Sequence, residues 1–246
     1  MTITIVGDFA DALSFLASQR AEHIRSLGLH DVRWLAVEAD RTRPVGGAPL
    51  DATIAEQAQR LATPGEAVPA AGLRVPNSRA ATAAYAESVT DGVPGAMRRA
   101  LFDALWVHGL NIGDPGVIRL IAFDVLNPMP PYGDIDRRVR ANLPIVPLGD
   151  PDPIATTRQL GFIVSMGRGP LTVAGQERID TWRRFWQQHG TPELPLLLTD
   201  HGEAFAGEHA LTWIHQQLPR PDTTTPTDAS TASMYVPAQH RPVHVS

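Results

Sequence analysis

The sequence predicts an α/β fold carrying a helical insert, and three observations support this. β-branched residues dominate Thr2 to Gly7 and a helical period follows at once, so the chain opens strand, helix, strand. Residues 40 to 125 then read as successive alanine-rich helices with no strand signal between them. From 176 to 218 the pattern returns as helix, strand, turn, strand, helix.

The elements follow in order. Ile3, Ile5 and Phe9 alternate with smaller or polar residues, which places a strand at about Thr2–Gly7. Leu13, Leu16, Ile24 and Leu27 recur at three- and four-residue spacings, which predicts a helix from Asp8 to Leu27 with Gly28 as its stop. Val32 to Val37 is mostly apolar and reads as a buried second strand, parallel to the first because a helix joins them. Helices are expected at Asp51–Ala62, Arg79–Thr90, Ala96–His108 and Pro115–Val125, with Gly72 to Ser78 extended between the first two. Pro128 to Pro153 is proline-rich and loop-like. A helix from Gln176 to Gln188 places Ile179, Trp182 and Trp186 on one face, which reads as core. Leu194 to Leu198 is a strand with a proline near its start. Asp200-His201-Gly202 turns the chain, Glu203 to Phe205 pairs back, and a last helix runs from Gly207 to about Leu218.

Composition excludes several chemistries. The 246 residues include no cysteine and no lysine, so all 21 basic side chains are arginine. Without cysteine there is no disulfide, no thiolate nucleophile and no Cys-ligated metal. Without lysine there is no Schiff base and no lysine-dependent phosphate loop. A net charge of -5 gives no footprint for nucleic acid. No apolar run approaches the ~18 residues that span a bilayer, and the start lacks the basic and apolar segments of a secretory signal. The expectation is a cytoplasmic protein without nucleic-acid or membrane partners.

Strand, helix, strand, helices, helix, strand, turn, strand, helix is the order of a thioredoxin fold with a helical insert, and particular residues sharpen the reading. Val6-Gly7-Asp8-Phe9-Ala10-Asp11-Ala12-Leu13-Ser14-Phe15-Leu16 resembles the first active-site segment of the DsbA-like family. That family includes disulfide oxidoreductases, 2-hydroxychromene-2-carboxylate isomerases and kappa-class glutathione transferases. Its usual form is Asp-Phe-x-Cys/Ser-Pro-x-Cys/Ser-Tyr-Leu. Gly72-Leu73-x-Val75-Pro76-Asn77-Ser78-Arg79, Leu101-Phe102-x-Ala104-Leu105-Trp106-x-x-Gly109, and Leu194-Pro195 followed by Gly207-Glu208-x-Ala210 extend the similarity over about residues 2–218, weakly from 126 to 175. The resemblance implies a thioredoxin-like core at 1–40 and 176–218 and a helical insert with a proline-rich loop at 41–175, and composition predicts a disordered Thr- and Pro-rich tail at 219–246.

It also implies a site. The attacking thiolate, or the serine beside bound glutathione, falls at Asp11. The fourth motif position is Ser14, and Ala12 replaces the motif proline. The family's cis-proline aligns with Pro195, beside Leu194, whose backbone pairs with substrates in relatives as an added strand. Asn77 and Arg79 align with a loop lining the cleft in the isomerase branch. The resemblance therefore implies Asp11 and Ser14 as catalytic residues and Leu194, Pro195, Asn77 and Arg79 as ligand contacts. The ligand would be a small molecule, a low-molecular-weight thiol such as glutathione or mycothiol, or an extended peptide. No cofactor is required, and homodimers occur among the relatives. The activity would be isomerase- or transferase-like without thiol exchange, or plain binding by a cleft that has lost its chemistry.

Local reasoning keeps simpler readings open. Asp11 is a good N-cap, Asn77 or Ser78 can cap the helix at Arg79, and Pro195 can be a trans residue opening an edge strand. His201, Glu203, Glu208 and His209 lack the spacing of a helical metal site, so no metal is expected. Gly167-Arg168-Gly169-Pro170 reads as a lone turn.

Overall fold

A computed structural model describes residues 1–127 and 149–219. Its central sheet has four strands: β1 (Thr2–Gly7), β2 (Asp31–Ala36), β5 (Leu196–Thr199) and β6 (Ala204–Ala206), in the order β2-β1-β5-β6. β1 pairs parallel with β2 and antiparallel with β5, and β6 lies antiparallel on β5. The parallel pair is joined by helix α1 (Ala12–Ser26). Ile3, Ile5 and Val6 are all fully buried, so both faces of β1 are covered, as expected for a central strand with a parallel neighbour. This is the α/β core of a thioredoxin-like fold, and additional helices are inserted into it.

The inserted part contains α2 (Ala52–Leu61), α3 (Arg79–Ser88), α4 (Pro94–Trp106) and α5 (Pro115–Leu126), then α6 (Pro153–Gln159), before α7 (Val173–Gln188) leads back to β5. The chain closes with α8 (Gly207–Gln216), which packs on α1 and β6. α3, α4 and α5 pack on one another, and α4 also packs on α1.

Several expectations need correction. The run from 40 to 125 does contain strands: Ala48–Pro49 (β3) pairs antiparallel with Arg74–Val75 (β4). Each is two residues long, too short to show a period of two. α1 begins at Ala12 rather than Asp8, because Asp11 takes the N-cap position with extended backbone. α7 starts at Val173, where Thr172 caps it, not at Gln176. Pro195 lies just ahead of β5 rather than within a strand. The expected loop at 128–153 falls mostly outside the described residues, as does almost all of the expected disordered tail. Among the described residues no helix is long and apolar enough to cross a membrane.

An aromatic seam joins insert to core. Phe9, Phe15 and Trp34 belong to the core, and Tyr85, Phe102 and Trp106 to the insert. Phe9 and Phe102 lie 4.8 Å apart, Phe15 stacks on Trp106 at 6.0 Å, and Trp34 meets Phe102 edge-on at 5.6 Å. The polar tips are satisfied across the same seam: Trp106 Nε1 donates to the Phe9 carbonyl at 2.9 Å and Tyr85 Oη to the Trp34 carbonyl at 3.1 Å. The Trp34 ring also explains Gly7, since a Cβ there would overlap the ring's Cζ2.

Phe102 touches three core aromatics, so its removal should weaken the union of insert and core. Phe102→Ala is expected to cost about 3–5 kcal/mol, read as a lower urea midpoint with an unchanged slope. A loss below about 1 kcal/mol would contradict this packing account.

Candidate functional site

The turn from β1 into α1 is built around two carboxyls. Asp8, at the end of β1, is 4% exposed. Its Oδ1 accepts from Ala10 N at 2.9 Å and its Oδ2 from Ala39 N at 2.8 Å, which ties the start of α1 to the segment after β2. Asp11 caps α1, accepting from Ser14 N at 2.7 Å. Ser14 Oγ in turn accepts from Asp8 N at 3.2 Å. Arg43 Nη1 donates to the Ala10 carbonyl at 2.8 Å, and Asn77 Nδ2 to the Arg43 carbonyl at 3.2 Å, so the network reaches the start of α3.

These groups border a cleft of about 550 Å³ between core and insert. Asp8, Asp11 and Ala12 line it at the start of α1, and Pro192, Glu193 and Leu194 at the start of β5. The Leu194–Pro195 bond is cis. The Pro195 carbonyl accepts from Gly207 N at 2.9 Å, whereas the Leu194 backbone takes no hydrogen bond among the described residues. Leu194 therefore offers an unpaired amide and carbonyl at the cleft wall. Trp186 and Ile54 add apolar surface, and the fully buried Trp106 lies in the wall behind.

The charge is lopsided. Asp8, Asp11, Asp40, Asp51 and Glu193 line the cleft against the single cation Arg43. Asp51 is engaged as the N-cap of α2, through Thr53 N at 2.8 Å. Burial pushes the Asp11 carboxyl up to about 6, and the neighbouring Asp8 charge pushes the same way against the pull of Ser14 and Arg43. Burial raises Asp8 as well, partly offset by Ser78, by its two amide donors and by Arg43. A carboxyl that titrates near neutrality can both give and take a proton, as an acid–base group must.

The predicted site residues separate in space. Asp11 and Leu194 meet at the cleft, with the cis Pro195 behind Leu194. Ser14 is fully buried beneath the floor, bonded to Asp8. Asn77 is 8% exposed and holds the Arg43 loop from behind, its Oδ1 also accepting from Arg79 N at 3.4 Å. Ser78 supplies no side-chain cap to α3. Arg79 is exposed and borders a different depression, beyond the 38–43 segment. Glu208 accepts from Arg60 at 2.6 Å and Gln57 at 2.9 Å, and no metal-holding cluster occurs among the described residues.

Sequence reasoning missed Asp8, Arg43, Glu193 and Trp186. Asp8 was detectable in principle, as a second carboxyl three residues before Asp11 at a strand–helix junction. Trp186 shares a helix face with Trp182, but only Trp182 is core, at 5% exposure. Trp186 lines the cleft and donates from Nε1 to the Pro192 carbonyl at 3.3 Å.

No protein-family model matches the sequence, and no curated protein is detectably similar to it. Solved structures are similar in fold. A probable DsbA oxidoreductase from Streptomyces coelicolor superposes with a TM-score of 0.57 at 14% identity, over 97% of this chain and 100% of that one. A 2-hydroxychromene-2-carboxylate isomerase gives 0.53 at 16% identity, over 88% of this chain and 93% of that one. The cytosolic disulfide reductase DsbM from Pseudomonas aeruginosa gives 0.51 at 15% identity, over 88% and 98%.

The fold is thioredoxin-like with helices inserted into it, similar to that of these structures. Within it, the start of α1 and the cis-proline loop face one cleft, and this chain furnishes them with carboxyls and no sulfur.

Asp11 and Asp8 hold their protons more tightly folded than unfolded. The contribution of Asp11 to stability is therefore fully present below the unfolded value of 3.8 and is lost as pH rises through about 6, and that of Asp8 is lost in the same direction. Asp11→Asn keeps an equivalent cap and removes one titration. The variant should show a shallower fall in melting temperature between pH 4 and 6, and at pH 7 should be at least as stable as the parent. Identical pH profiles for the two proteins would contradict the shift at Asp11.

Proposed function

We propose that this chain is a cysteine-free member of the DsbA-like superfamily that binds an extended ligand carrying a cationic group in the cleft at the start of α1. The observation that supports it is the pairing of an unbonded Leu194 backbone with an acidic floor centred on Asp11. The free amide and carbonyl suit a strand-like segment, which needs no particular side chain for its main-chain bonds. The excess of carboxylates selects a guanidinium or ammonium group, and the partly exposed Trp186 provides a ring face for it. Thiol–disulfide exchange through the protein's own side chains is excluded by the sequence.

The same charge balance disfavours glutathione, whose net charge is negative. Mycothiol carries no ionised carboxylate and escapes that repulsion. A second reading rests on Asp11 alone: a carboxyl titrating near 6 could shuttle a proton within a bound molecule, as an isomerase does. Ser14, bonded beneath the floor, would then position the loop and not attack.

Calorimetry and melting curves with a short basic peptide, its acidic counterpart, glutathione and mycothiol separate these readings. The basic peptide should bind and raise the melting temperature, with affinity that falls as salt rises. Asp11→Asn should weaken it by about tenfold, the loss of one charge-assisted hydrogen bond. Equal binding of the acidic and basic peptides, or of neither, would overturn the cationic-ligand reading. Insulin reduction should stay at background.

A further inference from the structure

A second depression lies on the other flank of the 38–43 segment and shares no lining residue with the cleft. Four arginines border it: Arg41 after β2, Arg79 at the start of α3, Arg168 in the 165–170 turn, and Arg183 on α7. Its one acidic neighbour is Glu38. Glu38 pairs with Arg41 at 3.2 Å, and Arg183 lies 3.6 Å from Asp180 along its own helix. Arg79 and Arg168 have no carboxylate partner among the described residues. Two of the four guanidiniums are thus unpaired among the described residues, so the depression carries a net positive charge that favours an anion.

Thr82 provides the independent observation. It lies on α3 and lines the depression, is 2% exposed, and its Oγ1 has no hydrogen-bond partner. A buried hydroxyl without a partner is costly and uncommon. Because Thr82 lines the depression, a turn of its side chain toward a bound oxyanion would give that hydroxyl an acceptor. The position of Arg168 adds to the case. It has φ +66, a left-handed conformation that disfavours side chains other than glycine, yet it stands between Gly167 and Gly169 as an arginine. The turn is held firmly, with Ser165 N donating to the Gly169 carbonyl at 2.8 Å and Gly169 N to Ser165 Oγ at 3.1 Å.

We infer that this depression, formed by Arg41, Arg79, Arg168, Arg183 and Thr82, binds a phosphoryl oxyanion. Its volume of about 50 Å³ suits one tetrahedral group and leaves the rest of any larger molecule outside. Guanidiniums match phosphate oxygens in a planar, two-pronged geometry, and a threonine hydroxyl can donate to the same group. The group can come as free phosphate or as the end of a phosphate monoester.

The test is calorimetry on the full chain with inorganic phosphate and with methyl phosphate, at ionic strength fixed by sodium chloride. Saturable one-site binding of either supports the site. Binding of phosphate alone assigns it to the free ion, and binding of both assigns it to the phosphoryl group of an ester as well. Arg168→Gly suits its backbone and Arg79→Ala alters an exposed residue, so both variants should fold. Each should weaken binding at least tenfold. Thr82→Val should weaken it about threefold without lowering the melting temperature in phosphate-free buffer. Asp11→Asn should leave it unchanged, so this result stands apart from the fate of the cleft reading. A response no larger than that of chloride, or full binding by the Arg79→Ala/Arg168→Gly double variant, overturns the proposal.

Discussion

The Asp8 carboxylate, buried where β1 ends, is the constraint on which the cleft depends. Its two oxygens hold Ala10 N and Ala39 N, and its own amide reaches Ser14 Oγ. One group therefore fixes the entry into α1, the exit from β2 and the serine beneath both. Asp11 can present a half-buried carboxyl at the cleft because that turn is rigid. Burying two carboxyls this close is unfavourable for their ionised forms, and the raised Asp11 value is the expression of that cost. A thiolate at the start of a helix is activated by a lowered pKa. Here a carboxyl in the same place is tuned the opposite way, toward neutrality.

The 38–43 segment separates two surfaces of opposite sign. Ala39, Asp40, Thr42 and Arg43 face the acidic cleft, while Glu38 and Arg41 border the arginine-rich depression. The aromatic seam keeps the insert registered against the core, so the walls of both sites are set by packing rather than by loops alone. Glu87 reinforces the side nearer the depression. Fully buried on α3, it pairs with Arg158 and accepts from Thr172 N at 2.9 Å and Thr172 Oγ1 at 2.7 Å, so α3, α6 and the cap of α7 move as one.

The fold was legible because its strongest signals are local. β1, β2 and the helix between them follow from hydrophobic period, and α3 to α5 from alanine-rich periodicity. What escaped was tertiary. β3 and β4 exist only through each other, and neither is long enough to announce itself. The site was half legible. Asp11 and Leu194-Pro195 carry an address from their neighbours in sequence, whereas Arg43, Glu193 and Trp186 join the cleft only through folding. Asn77 and Arg79 show the reverse: adjacent in the chain, they serve different surfaces, because the start of α3 turns one inward and the other out.

The central claim is that a carboxyl at the start of α1, beside the cleft, is tuned toward neutrality. The most direct measurement is a carbon-detected NMR titration of the Asp11 carboxyl in the intact protein, assigned by its loss in Asp11→Asn. The account predicts a midpoint near 6. A midpoint near the ordinary aspartate value of about 3.9 would show a solvated helix cap and no more, and would contradict it.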